Sequence, residues 1–149
     1  MQSNDRRILH VDDDPAITKL IAKRLESFGY EVTSVNDPTE AMSELVRGQY
    51  RLVILDIDME DKNGLELLED IKAHDGGIQV IMLTGLVSVT TVLETLRRGA
   101  EACFFKPLDD IEPFVAAVGD TFTKIDRWWG SLNDLVRRRK SGAELTAAS

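Results

Sequence analysis

Hydrophobic residues occur along the chain in short runs, and these runs alternate with stretches in which apolar positions recur every three or four residues. The runs are typical of buried strands and the stretches of amphipathic helices. Strands are predicted at residues 8–11, 30–35, 52–55, 78–83 and 103–105, and helices at 15–28, from about 38, at 64–72, at 88–98 and from 109 onward. The inward-facing helical positions are predicted to include Ile17, Leu20, Ile21, Leu25, Phe28, Leu65, Leu68 and Ile71.

Five strands that alternate with five helices predict an α/β fold, in which a five-stranded parallel sheet carries helices on both faces. The strands are apolar at nearly every position, as expected when both faces of a sheet are covered. Asp14 is the expected N-cap of the first helix, Pro15 lies in its first turn, and Gly29 marks its end. Residues 121–149 are not needed for this core.

The composition fits a single domain. The chain has 149 residues, of which 43% are hydrophobic, enough for one full core and too few for two. Its net charge of −8 provides little attraction to nucleic acid or to anionic lipid, so neither is an expected partner. The basic run at 137–140 is interpreted as a solvated helix end, where cations complement the helix dipole.

The sequence predicts a soluble cytoplasmic protein. Cys103 is the single cysteine, which excludes an internal disulfide and a cysteine-rich metal site. The first seven residues are polar and lack the apolar segment of a signal peptide. The longest apolar runs are far shorter than a membrane span.

Polar residues that can carry chemistry follow four of the five predicted strands. They are Asp12, Asp13 and Asp14 after the first strand, Asp56 and Asp58 after the third, Thr84 after the fourth, and Lys106 with Pro107 after the fifth. Because ligands bind beyond the carboxyl ends of the strands in an open parallel sheet, the fold is expected to gather these groups on one rim. Each residue alone has an ordinary explanation as a turn or capping residue, and the case rests on their joint occurrence.

The combination predicts a phosphoryl-transfer site. Several carboxylates at close quarters repel one another and favour a divalent cation, and oxygen ligands select Mg²⁺ or Mn²⁺ rather than zinc. Asp56 is then free to act as a nucleophile, as carboxylates do in aspartyl-phosphate chemistry. The Lys106 ammonium would neutralise charge on the phosphoryl oxygens, and the Thr84 hydroxyl would donate a hydrogen bond to one of them.

At these residues the chain resembles the response-regulator receiver family of two-component signalling, over about residues 6–124. The motifs that carry the resemblance are Val11-Asp12-Asp13-Asp14-Pro15, the segment from Leu52 to Met59 with Gly64, Leu83-Thr84-Gly85, and Phe105-Lys106-Pro107. The resemblance implies a flavodoxin-like sheet of strand order 2-1-3-4-5. It also implies a sensor histidine kinase or phosphotransfer protein as partner, and signalling through the face formed by helix 4, strand 5 and helix 5.

Carried over residue by residue, the resemblance assigns magnesium binding to Asp12 and Asp13, and both phosphorylation and metal binding to Asp56. The backbone carbonyl of Asp58 would be a further metal ligand. Thr84 would be the hydroxyl that moves toward the phosphoryl group, and Lys106 would contact that group. The Lys106-Pro107 peptide bond is expected to be cis.

Two positions depart from the family's pattern. Glu60 stands where the family usually has proline, which should leave the loop after Asp56 less rigid and adds a negative charge. Cys103 stands three residues before Lys106, where the family usually has tyrosine or phenylalanine. The aromatic switch of the family therefore cannot operate through that side chain.

Two other classes of protein fit part of the pattern. Phosphatases similar to haloacid dehalogenases use Asp-x-Asp, then a hydroxyl residue, then a lysine, an order that Asp56, Asp58, Thr84 and Lys106 also follow. Those enzymes need a later acidic motif on another strand and have no use for Asp12 and Asp13, and no turnover of phosphate esters is expected here. A receiver-like module that binds partners without being phosphorylated usually lacks one of the key residues, all of which are present.

The chain is divided into a receiver domain, residues 1–124, and a C-terminal helical extension or linker, residues 125–149. Apolar residues at 118, 122, 125, 129, 132 and 136 are spaced 4, 3, 4, 3 and 4 apart, which is the seam of a coiled coil and would make a homodimer. Alternatively the helix lies on its own domain, and Gly130 with Ser131 could break it. The sequence leaves these alternatives open.

Overall fold

The computed structural model describes residues 5–86 and 88–142 and contains every predicted strand and helix. The strands are β1 (Arg7–Val11), β2 (Glu31–Val35), β3 (Leu52–Leu55), β4 (Gln79–Thr84) and β5 (Ala102–Phe105). The helices are α1 (Pro15–Glu26), α2 (Ala41–Gly48), α3 (Gly64–His74), α4 (Val89–Arg97) and α5 (Glu112–Ser141). A short 3₁₀ turn at Pro38–Glu40 leads into α2, where the sequence predicted α-helix throughout.

The five strands form one parallel sheet in the order β2-β1-β3-β4-β5, as the family resemblance implied. The register pairs Val11 with both Val35 and Leu55, and Thr84 with Phe105. The carboxyl ends of the strands therefore meet along one edge. The polar residues that follow them lie at this edge.

Helix starts are set by short polar side chains, as predicted for α1. The Asp14 carboxylate accepts a hydrogen bond of 3.0 Å from the backbone N–H of Ala16 and caps α1. Asn63 and Ser88 cap α3 and α4 in the same way.

The two faces of the sheet each carry a hydrophobic core. One core joins Val11, Val53, Leu55 and Val80 of the sheet to Leu45 of α2 and to Leu67, Leu68 and Ile71 of α3. The other joins Ile8, Ile54, Ile81 and Leu83 of the sheet to Ile21 and Leu25 of α1 and to Phe114, Val118, Phe122 and Ile125 of α5. The strands are buried on both sides, which explains their continuous apolar runs.

The predicted apolar stripe of α1 needs correction at two positions. Leu20 is 57% exposed and Phe28 is 48% exposed, while Thr18 is buried. Phe28 leaves the helical path because α1 ends at Glu26. Leu20 lies at the edge of the stripe, where it lines a surface groove. In α3 Leu68 and Ile71 are buried as predicted, Leu67 is buried as well, and Leu65 is only partly buried.

The prediction that residues from 121 onward are dispensable for the core is wrong. Thr121, Phe122 and Ile125 are buried in the α1–α5 core. The Phe122 ring stacks on Tyr30 with ring centroids 5.5 Å apart, and the Arg6 guanidinium lies 5.0 Å above its centroid. These contacts extend the core about one turn of helix beyond the boundary that the sequence suggested.

Helix α5 is continuous through Gly130 and Ser131, so the break that the sequence allowed at this point does not occur. A Cβ built on Gly130 meets nothing within 4 Å, because Gly130 lies on the exposed side of α5. In the described part of the chain no helix combines the length and the apolar character needed to cross a bilayer.

Candidate functional site

Backbone hydrogen bonds between neighbouring strand ends bring the predicted site residues together. The N–H of Asp56 donates to the carbonyl of Val11 at 3.1 Å, and the N–H of Lys106 donates to the carbonyl of Thr84 at 2.9 Å. The ends of β1 and β3, and of β4 and β5, are therefore locked side by side. The side chains that follow them share one cleft of about 280 Å³, which is bordered by Asp12, Asp13, Asp14, Asp56, Asp58, Gly85, Leu86 and Lys106.

Asp12, Asp13 and Asp56 form a cluster in which one carboxylate oxygen from each lies within 4.8 Å of the others. Asp12 is fully buried and Asp56 is 4% exposed, while Asp13 is half-buried. Three carboxylates this close repel each other, and their oxygens are the ligands that a small divalent cation prefers. The donor set therefore fits Mg²⁺ or Mn²⁺. Asp14 is exposed and serves as the α1 cap.

Lys106 is the cation that this cluster already contains. Its Nζ lies 2.7 Å from Asp12 Oδ2 and 3.3 Å from Asp56 Oδ2. Burial opposes a charge on Lys106, but the hydrogen bond with Asp12 and the charge of Asp56 outweigh it and raise the pKa of the ammonium. Lys106 is therefore charged at neutral pH and faces both carboxylates. The Lys106–Pro107 peptide bond is cis, as the resemblance implied.

The two oxygens of the Asp56 carboxylate have different partners. Oδ1 accepts a hydrogen bond of 2.8 Å from the backbone N–H of Ile57, and Oδ2 faces Lys106. Burial and the charge of Asp12 raise the pKa of Asp56, while Lys106 and the Thr84 hydroxyl partly oppose this shift. A carboxylate in such surroundings is more basic than one in water and gains from a cation or an electrophile placed beside it.

Thr84 ends β4 with its side chain fully buried beside Asp56. Its Oγ1 accepts a hydrogen bond of 3.1 Å from the backbone N–H of Leu86. The hydroxyl itself hydrogen-bonds to the Asp56 carboxylate, an interaction that lowers the pKa of that group. The same side chain thus connects the acidic cluster to the loop that leads into α4.

Gly64 allows the loop after Asp56 to fold back on itself. A Cβ at this position would lie 1.9 Å from the backbone oxygen of Asp56 and 2.6 Å from the Cα of Ile57. The N–H of Gly64 donates to the carbonyl of Ile57 at 2.8 Å. Only glycine fits this approach, so Gly64 fixes the position of the Asp56 backbone.

Glu60, where the resembled family has proline, contributes a backbone donor to the cluster. Its N–H donates a hydrogen bond of 3.2 Å to Asp13 Oδ2. Proline has no N–H and cannot make this bond. The predicted loss of rigidity is thus offset by a direct tie between the loop and Asp13. Asp58 borders the same cleft, and metal binding by its carbonyl stays a prediction.

Cys103, the second departure, lies half-buried on β5 beneath α4. Burial raises the pKa of its thiol, and a hydrogen bond with the buried Thr95 of α4 partly opposes this shift. The side chain of Cys103 therefore occupies less space than the aromatic ring that the resembled family usually has at this position.

Two residues near the site escaped the sequence prediction. Asn36 follows β2, the one strand whose following residues were not considered, and its Nδ2 donates to the carbonyl of Asp12 at 2.9 Å and to Thr18 Oγ1 at 3.0 Å.

His10 is fully buried in β1, and burial together with the Lys106 charge lowers its pKa to about 3. It is therefore neutral and adds no charge behind the carboxylates. The sequence feature that could have drawn attention to His10 is the presence of a histidine in an otherwise apolar strand.

Comparison with known proteins agrees with this geometry. The profile of the response regulator receiver domain matches residues 8–118. The chain is 35% identical over 102 residues to the transcriptional regulatory protein ZraR of Klebsiella oxytoca, an alignment that covers 68% of this chain and 23% of ZraR. A CheY-like receiver domain protein from Methanospirillum hungatei superposes with a TM-score of 0.77 at 30% identity, over 82% of this chain and 97% of that one. The beryllofluoride-activated NtrC4 receiver domain dimer gives 0.76 at 28% identity, over 80% and 98%.

The chain belongs to the response regulator receiver domain family, and as such it is a signalling phosphoacceptor of two-component systems. It spans only about a quarter of the length of the curated relatives that it matches.

Proposed function

We propose that Asp56 accepts a phosphoryl group from a sensor histidine kinase or a phosphotransfer protein, in a reaction that needs Mg²⁺ or Mn²⁺. The observation that carries this proposal is the position of the Asp56 carboxylate, within reach of Lys106 and of the Asp12 and Asp13 oxygens at the edge of an open cleft. Asp56 has the raised pKa of a buried carboxylate and faces solvent only through this cleft.

In the proposed reaction an oxygen of Asp56 attacks the phosphorus atom of the donor. The bond between phosphorus and the donor nitrogen breaks, and the nitrogen keeps the bonding electron pair. Lys106 neutralises charge on the phosphoryl oxygens, and the Thr84 hydroxyl donates a hydrogen bond to one of them. A divalent cation held by Asp12, Asp13, Asp56 and the carbonyl of Asp58 would supply further charge neutralisation. The same groups assist hydrolysis of the aspartyl phosphate, which resets the signal.

A groove between α1 and the loop after Lys106 is the proposed docking site for the phosphodonor. It has a volume of about 350 Å³, and Leu20, Ile21, Lys106, Pro107 and Ile111 are among the residues that line it. The exposure of Leu20, unexpected for its place in the stripe, gives this groove an apolar wall beside the phosphorylation site. An apolar helix of the donor that packs here would bring its phosphohistidine over Asp56.

The protein acts in this proposal as a cytoplasmic signalling module rather than as an enzyme on other substrates. The proposed division keeps residues 1–124 as the receiver and 125–149 as an extension or linker, except that Ile125, the last buried residue of α5, belongs to the receiver core. The curated relatives are transcriptional regulatory proteins about three times as long as this chain, and a place at the input end of such a regulator is part of the proposal.

The phosphatase alternative needs a later acidic motif on another strand, whereas the described residues from Glu112 to Ser141 form a single helix. One experiment separates the two functions. The protein is incubated with Mg²⁺ and either acetyl phosphate or p-nitrophenyl phosphate. We expect one phosphoryl group per chain from acetyl phosphate and no continuous release of nitrophenol. Sustained release of nitrophenol that depends on Asp56 would support the enzyme instead.

A further inference from the structure

His10 is a polar side chain in the interior of β1 to which the proposed function gives no role. It is fully buried, and neither of its ring nitrogens has a hydrogen-bond partner among the described residues. A buried polar group without a partner destabilises the folded state, and an aliphatic side chain at this position would avoid that cost. Such groups are rare in native proteins, so the unpaired ring of His10 points to a partner that it gains only during function.

The alternation of side chains along β1 places the His10 ring behind the acidic cluster. His10 projects to the same face of the sheet as Ile8, two residues before it, and as Asp12, two residues after it. Ile8 belongs to the core that the sheet forms with α1 and α5, and so does Ile54, which pairs with His10 across β1 and β3. The ring therefore lies in this core, directly below Asp12 along the strand.

Lys106 reaches the same face of the sheet from the end of β5. Phe104, two residues earlier, packs against the α1–α5 core, so Lys106 projects to that face as well. Its side chain borders the surface groove together with Ile17 and Leu83, which cover this core. Burial and the nearby Lys106 charge lower the pKa of His10 to about 3. The ring is therefore uncharged, and one of its nitrogens is an acceptor.

Lys106 is held by two carboxylates that the proposed reaction needs for other purposes. Its ammonium has three N–H groups and lies 2.7 Å from Asp12 Oδ2 and 3.3 Å from Asp56 Oδ2. In the proposed function Asp12 binds the divalent cation and Asp56 takes the phosphoryl group, so both oxygens become less available to Lys106. The Lys106 side chain is only 19% exposed, so solvent cannot fully replace these partners.

The ring of His10 can replace the acceptor that Lys106 loses. Because the ring is uncharged, it binds the ammonium less tightly than a third carboxylate would, and the ammonium keeps its attraction for the phosphoryl oxygens. Because His10 lies deeper in the sheet than Asp12, it leaves the cleft open for the phosphodonor. An aliphatic side chain at this position could not accept a hydrogen bond, and a carboxylate would be costly to bury.

We propose that His10 is a positioning residue for Lys106. When Asp12 turns to the cation, the unprotonated ring nitrogen of His10 accepts a hydrogen bond from the Lys106 ammonium, and the other N–H groups of Lys106 point at the phosphoryl oxygens. The ring and the ammonium are not hydrogen-bonded in the structure, so the contact forms only when Asp12 releases Lys106. This inference rests on the proposed function of Asp56 and adds a residue to it.

Nitrogen NMR of the imidazole rings tests this contact without phosphorylation. The chain has two histidines, and the signals of the exposed His74 are identified with His74→Gln. Addition of Mg²⁺ alone should shift the signal of the unprotonated His10 nitrogen toward that of a hydrogen-bonded one. Lys106→Met, which lacks the ammonium, should not show this shift. A His10 signal that saturating Mg²⁺ leaves unchanged in the wild type overturns the proposal.

A second test compares stability with the rate of phosphorylation. His10→Leu replaces the ring with an apolar side chain of similar volume, so it should melt above the wild type. It should also slow phosphorylation by acetyl phosphate and Mg²⁺ about three- to tenfold, the worth of one hydrogen bond. His10→Asn and His10→Gln each place a side-chain oxygen near one of the two ring nitrogens, and one of them should restore the rate. Ile54→Val, beside His10 in the same core, is the matched control and should lower the melting temperature without slowing phosphorylation.

The two tests separate this inference from the proposed function. If His10→Leu is phosphorylated at the wild-type rate, His10 has only a structural role and the inference is wrong, while the function of Asp56 stands. If Mg²⁺ shifts the His10 signal but the wild type is never phosphorylated, the contact with Lys106 stands and the proposed reaction is wrong.

Discussion

The backbone N–H of Glu60 donates a hydrogen bond to Asp13 Oδ2 across 3.2 Å, and so joins the loop after β3 to the loop after β1. Asp13 is the most exposed member of the acidic cluster, and this bond is its one hydrogen bond from the opposite loop among the described residues. The residue that departs from the family's usual proline thus helps to hold a proposed metal ligand in place.

The first prediction concerns this bond. Glu60→Pro removes the donor, and Mg²⁺ should bind about five- to tenfold more weakly than to Glu60→Ala, which loses the same charge but keeps the N–H. Calorimetric titration of Mg²⁺ into both variants measures the difference. Equal affinity of the proline and alanine variants would mean that the bond does not position Asp13.

The second prediction concerns stability with and without metal. Mg²⁺ should raise the melting temperature by binding the folded state, and Asp13→Ala should lose most of this response. Without metal, Asp13→Asn should melt above the wild type, because it removes one of three repelling charges. Asp14→Ala is the control. It loses an N-cap worth about 1 kcal/mol but should keep the full response to Mg²⁺. If magnesium and a chelator give the same melting temperature for the wild type, there is no metal site here.

The third prediction follows from the close approach at Gly64. Gly64→Ala places a Cβ against the Asp56 carbonyl, so the loop must move, and the free energy of unfolding should fall by roughly 1–3 kcal/mol. Phosphorylation by acetyl phosphate should also slow. Gly130→Ala, in the open middle of α5, should instead stabilise the protein by up to about 1 kcal/mol. Urea denaturation measures the free energy of unfolding of both variants. An unchanged value for Gly64→Ala would disprove the role given to this glycine.

The fourth prediction concerns how the phosphoryl group is sensed. We expect Thr84 to exchange its present contacts for a hydrogen bond to the phosphoryl group, worth roughly 1.5–3 kcal/mol, and to carry the loop before α4 with it. Thr84→Ala should uncouple phosphorylation from the change in α4. Cys103→Ala should leave that change almost intact, because the two rotamers of a small side chain differ little in shape. Amide exchange of residues 85–98, with and without phosphorylation, distinguishes the routes. If Cys103→Ala abolished the change in α4 and Thr84→Ala preserved it, the signal would pass through β5 instead.

The strand-end chemistry could be predicted because the apolar runs define the strands and parallel strands end at the same edge. The sheet order could not be obtained from the runs and came from the family resemblance. The role of Asn36 was missed because it acts through a loop carbonyl. The bond from Glu60 was missed because a backbone donor leaves no trace in side-chain type. The extra turn of α5 in the core depends on how far Tyr30 and Arg6 reach, which spacing along the chain does not reveal.

The most direct test of the account maps the phosphoryl group after incubation with acetyl phosphate and Mg²⁺, by mass spectrometry of peptides reduced with borohydride. We expect the modification on Asp56 in the wild type, none in Asp56→Asn, and normal labelling in Asp58→Asn, because only the backbone of Asp58 is assigned a role. Labelling of Asp56→Asn at the wild-type level, or modification of another carboxylate in the wild type, would contradict the central claim.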